Sequence, residues 1–173
     1  ISALKGVRAN CHAAIYHNGQ LHRESTGEIQ FTEYGVSGPV IFEVSRDACQ
    51  GAGEWLAQLD FLPDMDEAEL ETELLRRKET SLPASELLTG ILHNRLGRVL
   101  AQSVGISGQG FVSQLNDRLL TDLAAAVKDF RVTLTEPMGM DSAQVTAGGI
   151  LTQEFDETTM ESRLVPGLYA CGE

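Results

Sequence analysis

The hydrophobic period changes twice along this chain. Apolar residues recur at every second position near the start, at every third or fourth position in the middle, and at every second position again after Asp129. Period two belongs to half-buried strands and period 3.6 to amphipathic helices. The pattern therefore predicts an α+β fold. A β-rich domain is expected at residues 1–63 and 129–173, with a helical subdomain inserted at residues 64–128.

Within the first block, Val7, Ala9, Cys11, Ala13 and Ile15 share one face of a strand. Arg8, Asn10, His12 and Tyr16 take the other. Asn18-Gly19 follows and suits a type I′ turn, whose two central residues need positive φ. A returning strand over 20–25, a second turn at Thr26-Gly27 and a third strand over 28–32 are expected. Ser37-Gly38-Pro39 reads as a helix start, because proline's missing N–H is not needed at the first helical position. Val40, Ile41, Val44 and Ala48 continue it to Gly51 or Gly53. Ala57, Leu59 and Phe61 then alternate up to Pro63.

Asp66-x-x-Glu69 opens the helical block as a capping box, with Leu70, Leu74 and Leu75 behind it. Pro83 is expected to open a second helix carrying Leu88, Leu92, Leu96, Val99 and Leu100. Phe111, Leu115, Leu119, Leu123 and Val127 form a third stripe. Stripes of this kind ordinarily pack a core. Val132 and Leu134 restart the strand pattern, 138–140 is turn-like, and short strands are expected at 143–150, 152–155, 159–161 and 168–171.

Thirteen basic against twenty-five acidic residues give a net charge of −12, and no basic cluster exceeds Arg76-Arg77-Lys78. That argues against nucleic acid and anionic membranes as partners. No apolar run approaches the roughly 20 residues of a membrane span. Three cysteines without a CxxC imply free thiols and a cytoplasmic location. The chain begins without Met and stops just after an apolar run at 168–171, so it reads as a piece of a longer protein.

Metal binding finds little support. His12, His17 and His22 lie on a strand pair where they need not converge, and no HExxH is present. Ser37 lacks the second glycine of a nucleophile elbow, since Pro39 stands there. There is no GxGxxG and no GxxxxGK[ST], so the usual device for a dinucleotide pyrophosphate is missing. Two stretches stand out. Residues 143–149 end in Gly148-Gly149, where a flat ligand or another backbone could approach closely. Residues 166–173 form an apolar strand closed by Gly172-Glu173, whose carboxylate could accept hydrogen bonds from a sugar or polyol.

The run Gly167-Leu168-Tyr169-Ala170-Cys171-Gly172-Glu173 is similar to the late FAD-contacting strand of two-dinucleotide-binding flavoproteins, with Glu in place of the usual Asp. Together with residues 143–149, Thr159-Met160-Glu161-Ser162 and Phe31-Thr32-x-x-Gly35-x-Ser37-Gly38-Pro39, it resembles the bacterial BaiN-like family of NAD(P)/FAD-dependent oxidoreductases, which includes aminoacetone-oxidase-like proteins. The resemblance implies that the chain is an insert between two parts of a FAD-binding domain, and that its β-rich domain is barrel-like with the helical subdomain inserted. By the resemblance, Gly172 and Glu173 would contact FAD, and Thr146, Gly148 and Gly149 would lie near the flavin ring or substrate. It further implies that the FAD-binding domain of the same polypeptide is the partner, that the substrate is a small molecule, and that the isolated chain neither turns over nor retains FAD. The alternative is a non-enzymatic interaction module.

Overall fold

The computed structural model describes residues 2–48, 53–137, 139, 141 and 148–172. The chain divides into two compact units, residues 1–135 and 136–173.

In the first unit, β1 (Arg8–His17) and β2 (Gln20–Phe31) form a hairpin. Its turn has Asn18 at φ 49° and Gly19 at φ 80°, the two positive values that the Asn-Gly pair predicts. β2 is one strand of 12 residues, which corrects the expected turn at Thr26-Gly27. Gly27 instead pairs with Cys11 inside the sheet. A side chain there would stand 3.4 Å from Val40 Cβ, so the glycine makes room for a helix to lie on the strand. That helix is α1 (Pro39–Ser45), entered from the short β3 (Val36–Ser37) through Gly38. β4 (Trp55–Asp60) and β5 (Phe130–Leu134) complete an antiparallel, barrel-like sheet in the order β3-β2-β1-β4-β5.

Alternation sorts the sheet's two faces. Cys11, Ala13, Ile15, Ala57 and Leu59 point inward and are fully buried or nearly so. They join one apolar cluster with Val40 and Val44 of α1 and with the helical leucines. The fold is thus α+β, as the two periods require.

The helical stretch holds α2 (Glu67–Arg77), α3 (Asn94–Ser103) and α4 (Asp117–Lys128). The capping box is present: the Asp66 carboxylate accepts from Glu69 N–H at 2.7 Å, and the Glu69 carboxylate from Asp66 N–H at 3.1 Å. Two expectations fail. Pro83 leads only into a short 3-10 turn, Ala84–Glu86, and α3 starts at Asn94, capped by His93. Gly90, at φ 81°, separates the two. Phe111 is not part of the third stripe. It lies half exposed in an extended segment bridged to Pro83, and α4 begins six residues later behind Asn116. Both segments satisfy their backbone against each other: Ala84 N–H donates to Gly110 O, and Val112 N–H to Leu82 O. A helix at either place would forfeit those bonds.

Two cations tie loops to helices. Lys128 Nζ donates to Leu62 O at 2.6 Å and Met65 O at 2.5 Å while pairing with Asp60 at 2.6 Å, so the end of α4 is clamped to the end of β4. Arg77 donates to Leu87 O, Thr89 O and Glu73. Hydrogen bonds from Arg76 and Arg77 pull the Glu73 carboxyl from 4.5 down to about 2. A carboxyl lowered in the folded state adds stability above its unfolded pKa and loses it as pH falls toward the folded one. Glu73→Gln is therefore expected to remove part of the acid sensitivity between about pH 4.5 and about 2, read by acid-unfolding curves. Identical curves for both proteins in that window would refute this.

The second unit has no hydrophobic residue in the buried set among its described residues. It is organised by polar contacts. Asp156 accepts from Thr159 N–H at 2.9 Å and Thr158 N–H at 3.0 Å, and these donors hold its carboxyl below the usual range. Ser162 Oγ accepts from Leu164 and Val165 N–H, and Glu161 from Gly167 N–H. The strands expected at 152–155, 159–161 and 168–171 are replaced by a 3-10 turn, Thr152–Glu154, and by single bridges pairing Phe155 with Ser162 and Glu161 with Tyr169. Gly148–Ile150 is not a strand, and 142–147 lies outside the described residues.

Candidate functional site

Of the residues that the resemblance singled out, Thr146 and Glu173 lie outside the described set. Gly148, Gly149 and Gly172 have φ of 114°, 122° and 124°, values that side chains rarely tolerate. At each, the space a Cβ would take is open for 4 Å. A flat group could approach this backbone closely. Among the described residues no side chain lies within 4 Å of these positions, so they line no closed pocket.

The other candidates stay apart. His12 Nδ1 lies 3.0 Å from Thr26 Oγ1, His17 stacks on Trp55 at 4.2 Å, and His22 pairs with Asp47 at 2.9 Å. Among the described residues no three His, Cys, Asp or Glu are placed to hold a metal ion. Burial, followed by the charge of Asp60, pushes the Cys11 thiol up to about 12, so it is inert as a nucleophile. Ser37 lies in β3 opposite Gln30.

A groove that sequence reasoning missed lies on the outer face of the sheet. It is lined by Tyr16, Gly19, Glu54, Leu56, Gln58 and Arg131 and has a volume of about 320 Å³, within the range of small-molecule sites. The register builds it: Tyr16 pairs with Leu56 across β1 and β4, and Gln58 with Arg131 across β4 and β5. Asp129 holds Arg131 through Nε at 2.8 Å and Nη2 at 2.7 Å. The available signal was parity. Leu56 and Tyr16 occupy outward positions where an exposed sheet face normally carries polar side chains.

A 3-dehydro-bile acid delta(4,6)-reductase of Clostridium scindens is 35% identical over 173 residues, covering 97% of this chain and 42% of the relative. A ribosomal RNA dihydrouridine synthase of Escherichia coli is 34% identical over 159 residues, covering 90% of this chain and 37% of the relative. The protein of that name from Haemophilus influenzae is 27% identical over 153 residues, with 84% and 35% covered. The chain thus spans about two fifths of the length of the curated relatives it matches. The profile described as the HI0933-like protein barrel and H2TH domain matches residues 1–145. The barrel-like sheet, the helices and this match agree with the BaiN-like resemblance, and the chain belongs to the HI0933-like family.

Proposed function

We propose that the chain is the substrate-side part of a FAD-dependent oxidoreductase, covering the flavin and shaping the pocket beside it. The reaction we assign to the whole protein is saturation of a carbon–carbon double bond conjugated to a carbonyl. The observation that carries this is the pair of relatives. One is named for reducing Δ4,6 double bonds of a dehydro bile acid and the other for making dihydrouridine, and both names describe that one bond change. Flavin chemistry, with FAD bound and reduced by a nicotinamide, would supply the hydride for one alkene carbon and a proton would complete the other, while the protein would position the two partners. Gly148, Gly149 and Gly172 would let the flavin lie against bare backbone, with Thr146 and Glu173 beside them.

The FAD-binding domain of the same polypeptide is the proposed partner of residues 136–173. Ile150, Leu151, Leu164, Val165 and Tyr169 are each more than half exposed, more apolar surface than so short a segment leaves in water without purpose. We assign a small-molecule substrate and not RNA. The one basic run is already neutralised: Arg76 and Arg77 bind Glu73, and Lys78 binds Asp117. With a net charge of −12 this chain would repel phosphates.

The test is the absorbance of the full-length protein, made from the intact gene and purified without added FAD. A flavin spectrum is expected, and Gly149→Val should deplete it, because a β-branched residue is strained at φ 122° and its side chain would fill the open face. The isolated 173-residue chain should come out colourless. A colourless full-length protein that also fails to take up added FAD would overturn the proposal.

A further inference from the structure

The outer-face groove is a binding site with no assigned ligand, and its layout states what would fit. Several charged and polar side chains elsewhere on this face of the hairpin pair with one another: Arg8 with Glu28 at 3.4 Å, and His12 with Thr26 at 3.0 Å and Glu24 at 3.5 Å. In the groove, the side chains of Tyr16, Glu54 and Gln58 have no hydrogen-bond partner among the described residues, and Arg131 keeps Nη1 unused. Leu56 and Gln58 project from one side of β4 at alternate positions, Arg131 stands beside Gln58, and Glu54 immediately precedes the strand, its carbonyl accepting from Asn18 N–H at 3.0 Å. The groove therefore has a carboxylate at one end, a guanidinium and an amide at the other, and Leu56 with the Tyr16 ring between them. The ends, Glu54 and Gln58, are four residues apart in the chain, a span of at most roughly 13 Å at about 3.3 Å per residue.

We propose that this groove binds an elongated amphipathic carboxylate. Its acid group is taken by Arg131 Nη1 with the Gln58 amide and the Tyr16 hydroxyl. Its apolar body lies over Leu56 and the Tyr16 ring, and a hydroxyl about 13 Å from the acid donates to Glu54. Charge complementarity at each end fixes the direction of the ligand, and the apolar middle contributes most of the contact. The proposal does not depend on the flavin, because none of the glycines assigned to it lines the groove.

The probe is 10-hydroxydecanoate, whose acid and hydroxyl span about this length when extended, titrated calorimetrically into the full-length protein. Methyl 10-hydroxydecanoate and decanoate serve as probes lacking the charge and the hydroxyl. Saturable one-site binding is expected. Arg131→Gln should weaken the hydroxy acid at least ~10-fold while leaving the methyl ester unchanged, because only the charged hydrogen bond is lost. Glu54→Gln should leave decanoate unchanged and weaken the hydroxy acid. Leu56→Asp should weaken all three. Both polar variants should keep the melting temperature and any flavin spectrum of the parent, so failure here is separate from failure of the flavin assignment. Absence of saturable binding, or equal affinity of the parent and Arg131→Gln for the hydroxy acid, would overturn the proposal.

Discussion

Gly38→Ala is expected to destabilise the first unit by about 3 kcal/mol or more, since a sparsely populated backbone conformation and a hard clash combine. Gly38 sits at φ 103° and ψ 168°, a region that residues with a Cβ scarcely enter. A Cβ there would stand 2.7 Å from Glu28 O, 3.1 Å from Gln30 N and 3.3 Å from Ile29 Cα. All three belong to the backbone of β2, so no side-chain rotation relieves the overlap. The same residue caps α1, its carbonyl accepting from Ile41 N–H and Phe42 N–H. Shifting it would pull the helix off Gly27 and the sheet. Urea unfolding followed by the fluorescence of Trp55, the single tryptophan, reads the effect. Pro39→Ala is the control and should cost far less, because the N1 position tolerates most residues. A loss below about 1 kcal/mol for Gly38→Ala would show that the strand yields where the contacts say it cannot.

Phe31→Ala is expected to cost about 3–5 kcal/mol, the range for deleting a fully buried aromatic ring. Phe31 is the largest fully buried side chain. It begins a row of three rings, with Phe61 at 6.2 Å and Phe130 at 5.8 Å beyond that. The row links β2, the end of β4 and β5, elements far apart in sequence. The backbone of Phe31 is independently fixed, its N–H donating to Val7 O and its carbonyl accepting from Gly6 N–H. The surroundings therefore cannot collapse freely into the hole, which places the cost in the upper part of the range. Phe31→Leu should recover about half. Because sheet and helices share one apolar cluster, helical circular dichroism and Trp55 fluorescence should be lost in one transition. Two separated transitions would show that the helical stretch holds its own core.

The features that were legible in the sequence are those settled within a few residues. Asn18-Gly19 forms its turn because both positions need positive φ and both residue types permit it. Asp66 and Glu69 cap each other across three positions. The inward row Cys11, Ala13 and Ile15 follows from a side-chain period of two. The glycines misled where their neighbours are distant in sequence. Gly27 looks like a turn residue, yet it serves α1, which begins twelve residues later. Pro83 and Phe111 look like parts of helices, yet they bridge to each other, since their backbones pair across a separation no local pattern reports.

The candidate sites divide along the same line. Gly148, Gly149 and Gly172 were singled out by motif, and their open left-handed backbone is a local property that a short segment can carry. The groove of Tyr16, Glu54, Leu56, Gln58 and Arg131 could not be read from any one segment. Its residues come from three strands and the position just before β4, and Arg131 reaches Gln58 only after the helical stretch returns the chain to the sheet as β5. Periodicity, turn residues and caps, acting through sterics and hydrogen bonds over a few residues, determined by themselves that this chain alternates strand, helix and strand. Which strands lie side by side, and so which side chains meet on the outer face, was decided only by the tertiary structure, because burying one shared core selects a pairing that no local interaction encodes.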